Sequence, residues 1–210
     1  PTYMLCKFVK KKITVAISGE GADELFGGYP RYKNITSFWN KIKNQPRVFS
    51  ELMEAFSESF SSSKYSYMRS IGKKFRKYSH TNLDSLYNDE MSRWRPDEKI
   101  LVERSFRGSY FEKKITHLNN IASDPRYLMM RDIITYLPSN LLVKTDRASM
   151  YNSLEIRSPY LDNDLVSLVW SLPDNFILYK NEKIILKEIL KEKLGSNFVN
   201  RKKQGFEPPL

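Results

Sequence analysis

Ile13-Thr14-Val15-Ala16-Ile17-Ser18-Gly19-Glu20-Gly21-Ala22-Asp23-Glu24-Leu25-Phe26-Gly27-Gly28 is the stretch on which the fold turns. Its first five residues make a near-continuous β-branched run, which reads as a parallel strand buried on both faces. Ser18 to Glu24 break the run with two glycines, and Leu25-Phe26 lead into a second glycine pair. A strand that feeds a glycine turn at the start of a helix aims backbone N–H groups at one point, which suits an anion. Three acids, Glu20, Asp23 and Glu24, crowd that turn. Like charges there repel and lose water, and metal ions or a cationic neighbour are the usual remedy. A solvated acidic turn is the other reading of the same residues.

Downstream, residues 33–124 mix Lys, Ser and aromatics in interrupted helical patterns, and the serine-rich run Ser57 to Ser70 reads as a loop or the mouth of one. From Pro125 onward the helices are clear. Met129, Met130, Ile133, Ile134 and Leu137 keep helical spacing, and Pro138 is expected to end that helix. Leu141 to Met150 gives a second one. Asp162 is placed to cap Asn163 to Ser171, whose Leu165, Val166, Leu168, Val169 and Leu172 form one apolar stripe before Pro173. Glu182 to Leu194 is a further amphipathic helix with Gly195 as its C-terminal cap. The residues therefore predict a mostly helical chain with one clear parallel strand.

Hydrophobic residues at 40% imply a folded core. The single cysteine, Cys6, cannot build a disulfide framework; with no signal-like segment in view, it points to a reducing cytoplasm. No stretch is long and apolar enough to suggest a membrane span. The balance of 35 Lys+Arg against 24 Asp+Glu, a formal charge of +11, favours polyanionic partners, whether nucleic acid, acidic lipid or a nucleotide. General lysine enrichment would give the same balance, and no helix-turn-helix or RNA-binding aromatic pair accompanies it, so nucleic acid is not the expected partner. His80 and His117 have no second ligand at metal spacing and read as surface residues.

Val15 to Tyr29 resembles the SGEGADE-(L/V)-FGGY signature of the asparagine synthetase family of ATP pyrophosphatases. Three further blocks follow in that family's order. Tyr136-Leu137-Pro138 through Leu142-Val143-Lys144-Thr145-Asp146-Arg147-Ala148-Ser149-Met150 is similar to its YLP..LLxKxDRxSM helix pair. Ser153 to Asp162 resembles SLExRxPFLD, and Arg201-Lys202-Lys203-Gln204-Gly205-Phe206 with Pro208 resembles RxKxGFxxP. The resemblance implies an α/β fold, a parallel sheet of the adenine-nucleotide α-hydrolase kind, with 1–210 as the C-terminal part of a synthetase domain. Within it, 13–32 would be the strand-turn-helix, 33–124 a divergent helical region and 125–210 the helical motif region.

The activity so implied has two steps. ATP adenylates the side-chain carboxylate of aspartate and releases pyrophosphate; ammonia drawn from glutamine then displaces AMP to give asparagine. Carried over by motif, Ser18 and Gly19 would contact ATP and Glu20 would take a proton from the attacking ammonia. Asp23 would hold Mg²⁺ on the pyrophosphate, and Lys203 would neutralise phosphate charge. Read alone, Lys203 belongs to a basic run of the kind that is commonly solvated surface. Glu155 and Arg157 are open between a substrate pocket and an ion pair that pins the loop before Pro159, while Asp146 and Arg147 are expected to brace the fold. The family's SGGxDS loop and its glutaminase domain with an N-terminal cysteine do not occur here, which suggests a fragment that is inactive and poorly soluble alone. An amidotransferase of the same fold acting on another carboxylate is the alternative, with a basic helical nucleic-acid module behind it.

Overall fold

A computed structural model describes residues 1–61, 63–92, 123–178 and 183–199. Along the chain run α1 (Thr2–Lys10), β1 (Val15–Ile17), α2 (Ala22–Leu25), α3 (Pro30–Ile42), α4 (Arg47–Ser61), α5 (Ser66–Ser79) and α6 (Leu83–Met91). There follow α7 (Asp124–Ile134), a π-helical turn (Leu137–Leu142), α8 (Val143–Met150) and β2 (Glu155–Arg157). A 3₁₀ turn (Pro159–Leu161), α9 (Asn163–Ser171), α10 (Asp174–Ile177) and α11 (Ile184–Leu194) complete the order, with a last 3₁₀ turn at Ser196–Phe198. The described residues are mostly helical, with one small parallel sheet, consistent with an α/β reading. No helix among them is long and apolar enough to cross a membrane.

The chain divides into two compact units, with the break at residues 30 and 31. In the unit that holds residues 1–30 and the C-terminal helices, β1 pairs in parallel with β2, Val15 opposite Glu155 and Ile17 opposite Arg157. This second strand was not expected. Glu-Ile-Arg is too short and too charged to read as a strand by itself; the ladder to β1 makes it one. The burial of β1 also departs from expectation. Val15 is 40% exposed and Ile17 78%, and only Ala16 is partly covered. The apolar run reads as buried on both faces, whereas the face carrying Val15 and Ile17 is incompletely covered. Met4, Leu5 and Phe8 of α1 are likewise exposed, while Cys6 is buried.

Pro138 does not stop the helical path. The α-helix ends at Ile134, ahead of it, where Thr135 leaves ideal helical geometry at φ −114°; Pro138 then stands in the first turn of the π segment that carries the chain into α8, where its missing N–H costs least. Leu128, Met129 and Leu137 lie in the core under this path. Arg126 of α7 holds the C-terminal helices. It donates to the carbonyl oxygens of Trp170 and Leu172, and its Nε lies 2.7 Å from an Asp174 carboxylate oxygen. Its guanidinium also sits 5.2 Å from the centre of the Trp170 ring. The expected caps hold: Asp162 accepts from the N–H groups of Asp164 and Leu165, and α11 ends at Gly195.

The other unit is helical. Ser57 to Ser70 forms the mouth of a loop: the end of α4, a short connection at 63–65 and the start of α5. Its small residues are there because the two helices approach closely: a side chain on Gly72 would press on the Ser57 carbonyl and on Ser61 and Phe60. Beside this contact, Phe75 stacks with Phe60 and Phe56, at ring separations of 5.9 and 5.6 Å. Tyr78 meets Phe38 and Phe49 edge-on. His80, read as a surface residue, is largely enclosed; Asp89 lies between it and Arg76, 2.9 Å from the Arg76 Nε. His117 lies outside the described residues.

Candidate functional site

Three acids enter one turn, and the structure gives each a different partner. Gly21 starts α2 with a φ of 90°, in the left-handed region, and Leu161 occupies the space a side chain would need. That backbone path fans the acids apart. Glu20, ahead of Gly21, is half-buried, and its Oε1 accepts a hydrogen bond of 2.8 Å from the Thr145 hydroxyl on α8. Asp23 is met by Lys183, with Nζ 2.9 Å from Oδ1. Glu24 points inward, 1% exposed, and accepts from the Tyr29 hydroxyl at 2.9 Å.

The electrostatics follow from these settings. Burial pushes the Glu24 carboxyl above its ordinary value; the backbone and Tyr29 hydrogen bonds work the other way, and the nearby charges of Asp23 and Asp132 push it further up. Asp23 is relieved instead by a cation. Lys183 is doubly tied, since its backbone N–H also donates to the Phe26 carbonyl at 3.3 Å, and its φ of 55° is unusual for a non-glycine residue. Gly28 makes this pair feasible. Asp23 Oδ1 and the Lys183 Cε occupy the space that a side chain at 28 would take.

The front of the turn faces β2. Ser18 donates its N–H to the Arg157 carbonyl at 2.8 Å, and its hydroxyl lies 3.1 Å from that of Ser158. Gly19 has open space around it. Ser18, Gly19, Glu20 and Asp23 are thus consecutive features of one corner, with Thr145, Ser158 and Lys183 added from other elements. Glu155 and Arg157 pair with each other, 2.7 Å apart and both exposed; an exposed pair of this kind is compatible with either of the two roles left open for them. Asp146 and Arg147 are exposed and do not brace the fold; Thr145 and Ser149, buried on the other face of α8, do. Lys203 lies outside the described residues.

Sequence reasoning passed over Thr145, Ser158 and Lys183. Thr145 stands inside a recognised block, and its placement before Asp146 was the available signal. Ser158 occupies a position the SLExRxPFLD pattern leaves variable. Lys183 carried no signal, because only the fold brings it to Asp23. As for a metal, no group of three or more His, Cys, Asp or Glu that could hold an ion stands together among the described residues. A single half-buried carboxylate such as Asp23 fits a cation that takes most of its ligands from phosphate and water, as Mg²⁺ does.

Comparison with known proteins identifies the family. A family described as asparagine synthase matches residues 1–210. The chain is 32% identical over 216 residues to asparagine synthetase [glutamine-hydrolyzing] 1 of Bacillus subtilis, an alignment that takes in 100% of this chain and 33% of that protein. It is 28% identical over 215 residues to a putative asparagine synthetase [glutamine-hydrolyzing] of Mycobacterium bovis, covering 100% of this chain and 32% of the relative. Asparagine synthetase [glutamine-hydrolyzing] 3 of Bacillus subtilis matches at 29% over 204 residues, 96% of this chain and 27% of that one. The chain thus spans about a third of the length of these relatives. No solved structure matches.

Proposed function

The chain belongs to the asparagine synthase family, and from that premise we propose that it serves ATP-dependent amidation of aspartate as one part of a longer enzyme. The substrate carboxylate attacks the α-phosphorus of ATP, pyrophosphate leaves, and a β-aspartyl-AMP results. Ammonia released from glutamine by a glutaminase domain elsewhere in the enzyme then forms asparagine and AMP. The fold that suits this is the adenine-nucleotide α-hydrolase type, with β1 and β2 as two strands of a larger parallel sheet, in the cytoplasm.

The separate fates of the three acids are the observation that carries the reading. A turn built only to be soluble has no reason to hold one carboxylate half-accessible by a hydroxyl, neutralise a second with lysine and bury a third. Ser18 and Gly19, beside open space, would receive the nucleotide. Glu20 would accept a proton from the attacking nitrogen, where an ammonium-like centre calls for a carboxylate. Lys183 and Lys203 would face the phosphate charge that builds during adenylation. Asp23 would hold Mg²⁺, which supplies charge neutralisation on the pyrophosphate when bound. Glu155 and Arg157, at the rim of the small sheet, would meet the substrate amino acid.

The test uses the full-length enzyme with ammonium salt in place of glutamine. Pyrophosphate release should require ATP and aspartate together, and Glu20→Gln should leave that release intact while lowering asparagine formation about a hundredfold. Asparagine synthesis at full rate in Glu20→Gln would sink the assignment of Glu20. Release driven by another carboxylate in preference to aspartate would move the substrate and keep the chemistry.

A further inference from the structure

We propose that Thr145 positions Glu20 for the capture of ammonia, a role that rests on the reading of Glu20 given above. Thr145 sits within α8 at 5% exposure, and Ser149, one turn on, is buried beside it, so that this face of the helix is firmly seated. Its hydroxyl does something unusual for a helical threonine. A threonine in a helix commonly returns its hydroxyl to a carbonyl of the preceding turn. Thr36 does so with Tyr32 and Thr135 with Arg131, each at 2.7 Å. Thr145 instead reaches a residue 125 positions away and donates to the Glu20 Oε1.

The consequence for chemistry lies in which oxygen remains. With Oε1 occupied, Oε2 has no partner among the described residues, and the rotation of the carboxylate is fixed. Ammonia's lone pair forms the C–N bond at the acyl carbon of the adenylate, and the bond from that carbon to the phosphate oxygen breaks, AMP leaving with the electron pair. One N–H proton passes to Oε2. A carboxylate free to rotate would spend part of each encounter facing elsewhere, and the loss would fall on this step and not on adenylation.

Thr145→Val keeps the shape and removes the donor. In the full-length enzyme supplied with ammonium, the first-turnover burst of pyrophosphate should keep its amplitude and rate. The amide-forming step should slow roughly tenfold, the worth of one hydrogen bond to a charged group. Thr145→Ser, which retains the hydroxyl, should restore it. Amide formation at the wild-type rate in Thr145→Val overturns the proposal, and so does a Thr145→Ser variant as slow as the valine. Where thermal melting shows that the valine variant has not folded, Thr145→Ala takes its place under the same criteria. Glu20→Gln run alongside separates the two ideas. If it forms amide normally, the reading of Glu20 fails whatever Thr145 does; if it is slow while Thr145→Val is fast, only the role of Thr145 fails.

Discussion

The glycine corner that carries Glu20 and the α4–α5 hairpin both use glycine to bring elements close, yet they fill the gained space differently. At Gly28 the missing side chain admits a carboxylate and an ammonium. At Gly72 it admits a backbone carbonyl, and the contact around it is completed by aromatic rings. In the corner, closeness sets up directional polar contacts; in the hairpin it buries apolar area. The first arrangement is intolerant of small displacements, because hydrogen bonds and ion pairs fall off steeply with geometry. The second degrades gradually, since packing spreads its energy over many weak contacts. Substitutions in the two places should therefore fail in different currencies, one in rate and one in stability.

The sharpest break is expected at Gly28→Ala. Its methyl would displace the Asp23–Lys183 pair, so on the proposed function amidation by the full-length enzyme should drop on the order of a hundredfold while the melting temperature changes little. A variant with normal turnover would mean that the pair is incidental to function. Phe75→Ala is the counterpart in the hairpin. It removes a ring that contacts Phe56 and Phe60, and denaturant unfolding should register a loss of about 2–3 kcal/mol, with the rate per folded molecule unchanged. Equal loss of specific activity and of stability would erase the contrast.

Glu24→Gln gives a subtler effect within the corner, readable by pH. The folded-state pKa of Glu24 is raised from the ordinary 4.5, chiefly by burial. The native state therefore keeps a proton that the unfolded chain has released, and stability falls as pH rises from about the ordinary value through the raised one. Glutamine retains an oxygen for the Tyr29 hydroxyl and carries no proton to lose. The variant should match the wild type in urea midpoint at low pH and gain on it toward neutrality; parallel curves would show that the burial is not felt. The smallest effect belongs to Arg157→Ala. Its pair with Glu155 is exposed on both sides, worth well under about 1 kcal/mol, so unfolding should barely register the change. A marked loss of affinity for the amino-acid substrate without loss of stability would favour a binding role over the structural one.

The sequence was most legible where local chemistry is strict. The strand run, the glycine turn, the Asp162 cap and the Gly195 stop are each decided by neighbours within a few positions, and they appear in the structure. Elements that depend on distant partners were not legible. Glu155–Arg157 becomes a strand only because β1 lies alongside, and Val15 and Ile17 are exposed because coverage depends on what is packed against them, not on their own apolar character. Pro138 marked the end of the α-helix, which stops at Ile134, but not that the chain would go on as a π segment with the proline in its first turn. In the candidate site the acids were found and their crowding recognised, but nothing near Glu20, Asp23 or Glu24 reveals that Thr145, Lys183 and Tyr29 will divide them. Two of those three partners come from more than a hundred residues away.

The π turn has a further effect on the corner. It lies between the part of the helical path that buries Asp132 near Glu24 and the part that presents Thr145 to Glu20. Since each residue of an α-helix advances about 100° around its axis, the turn sets the phase between those two faces like the coupling between two geared shafts. Removal of a single residue from Leu137–Leu142 would leave α8 a good helix and rotate Thr145 out of mesh with Glu20. The length of that segment thus bears directly on whether the corner can assemble.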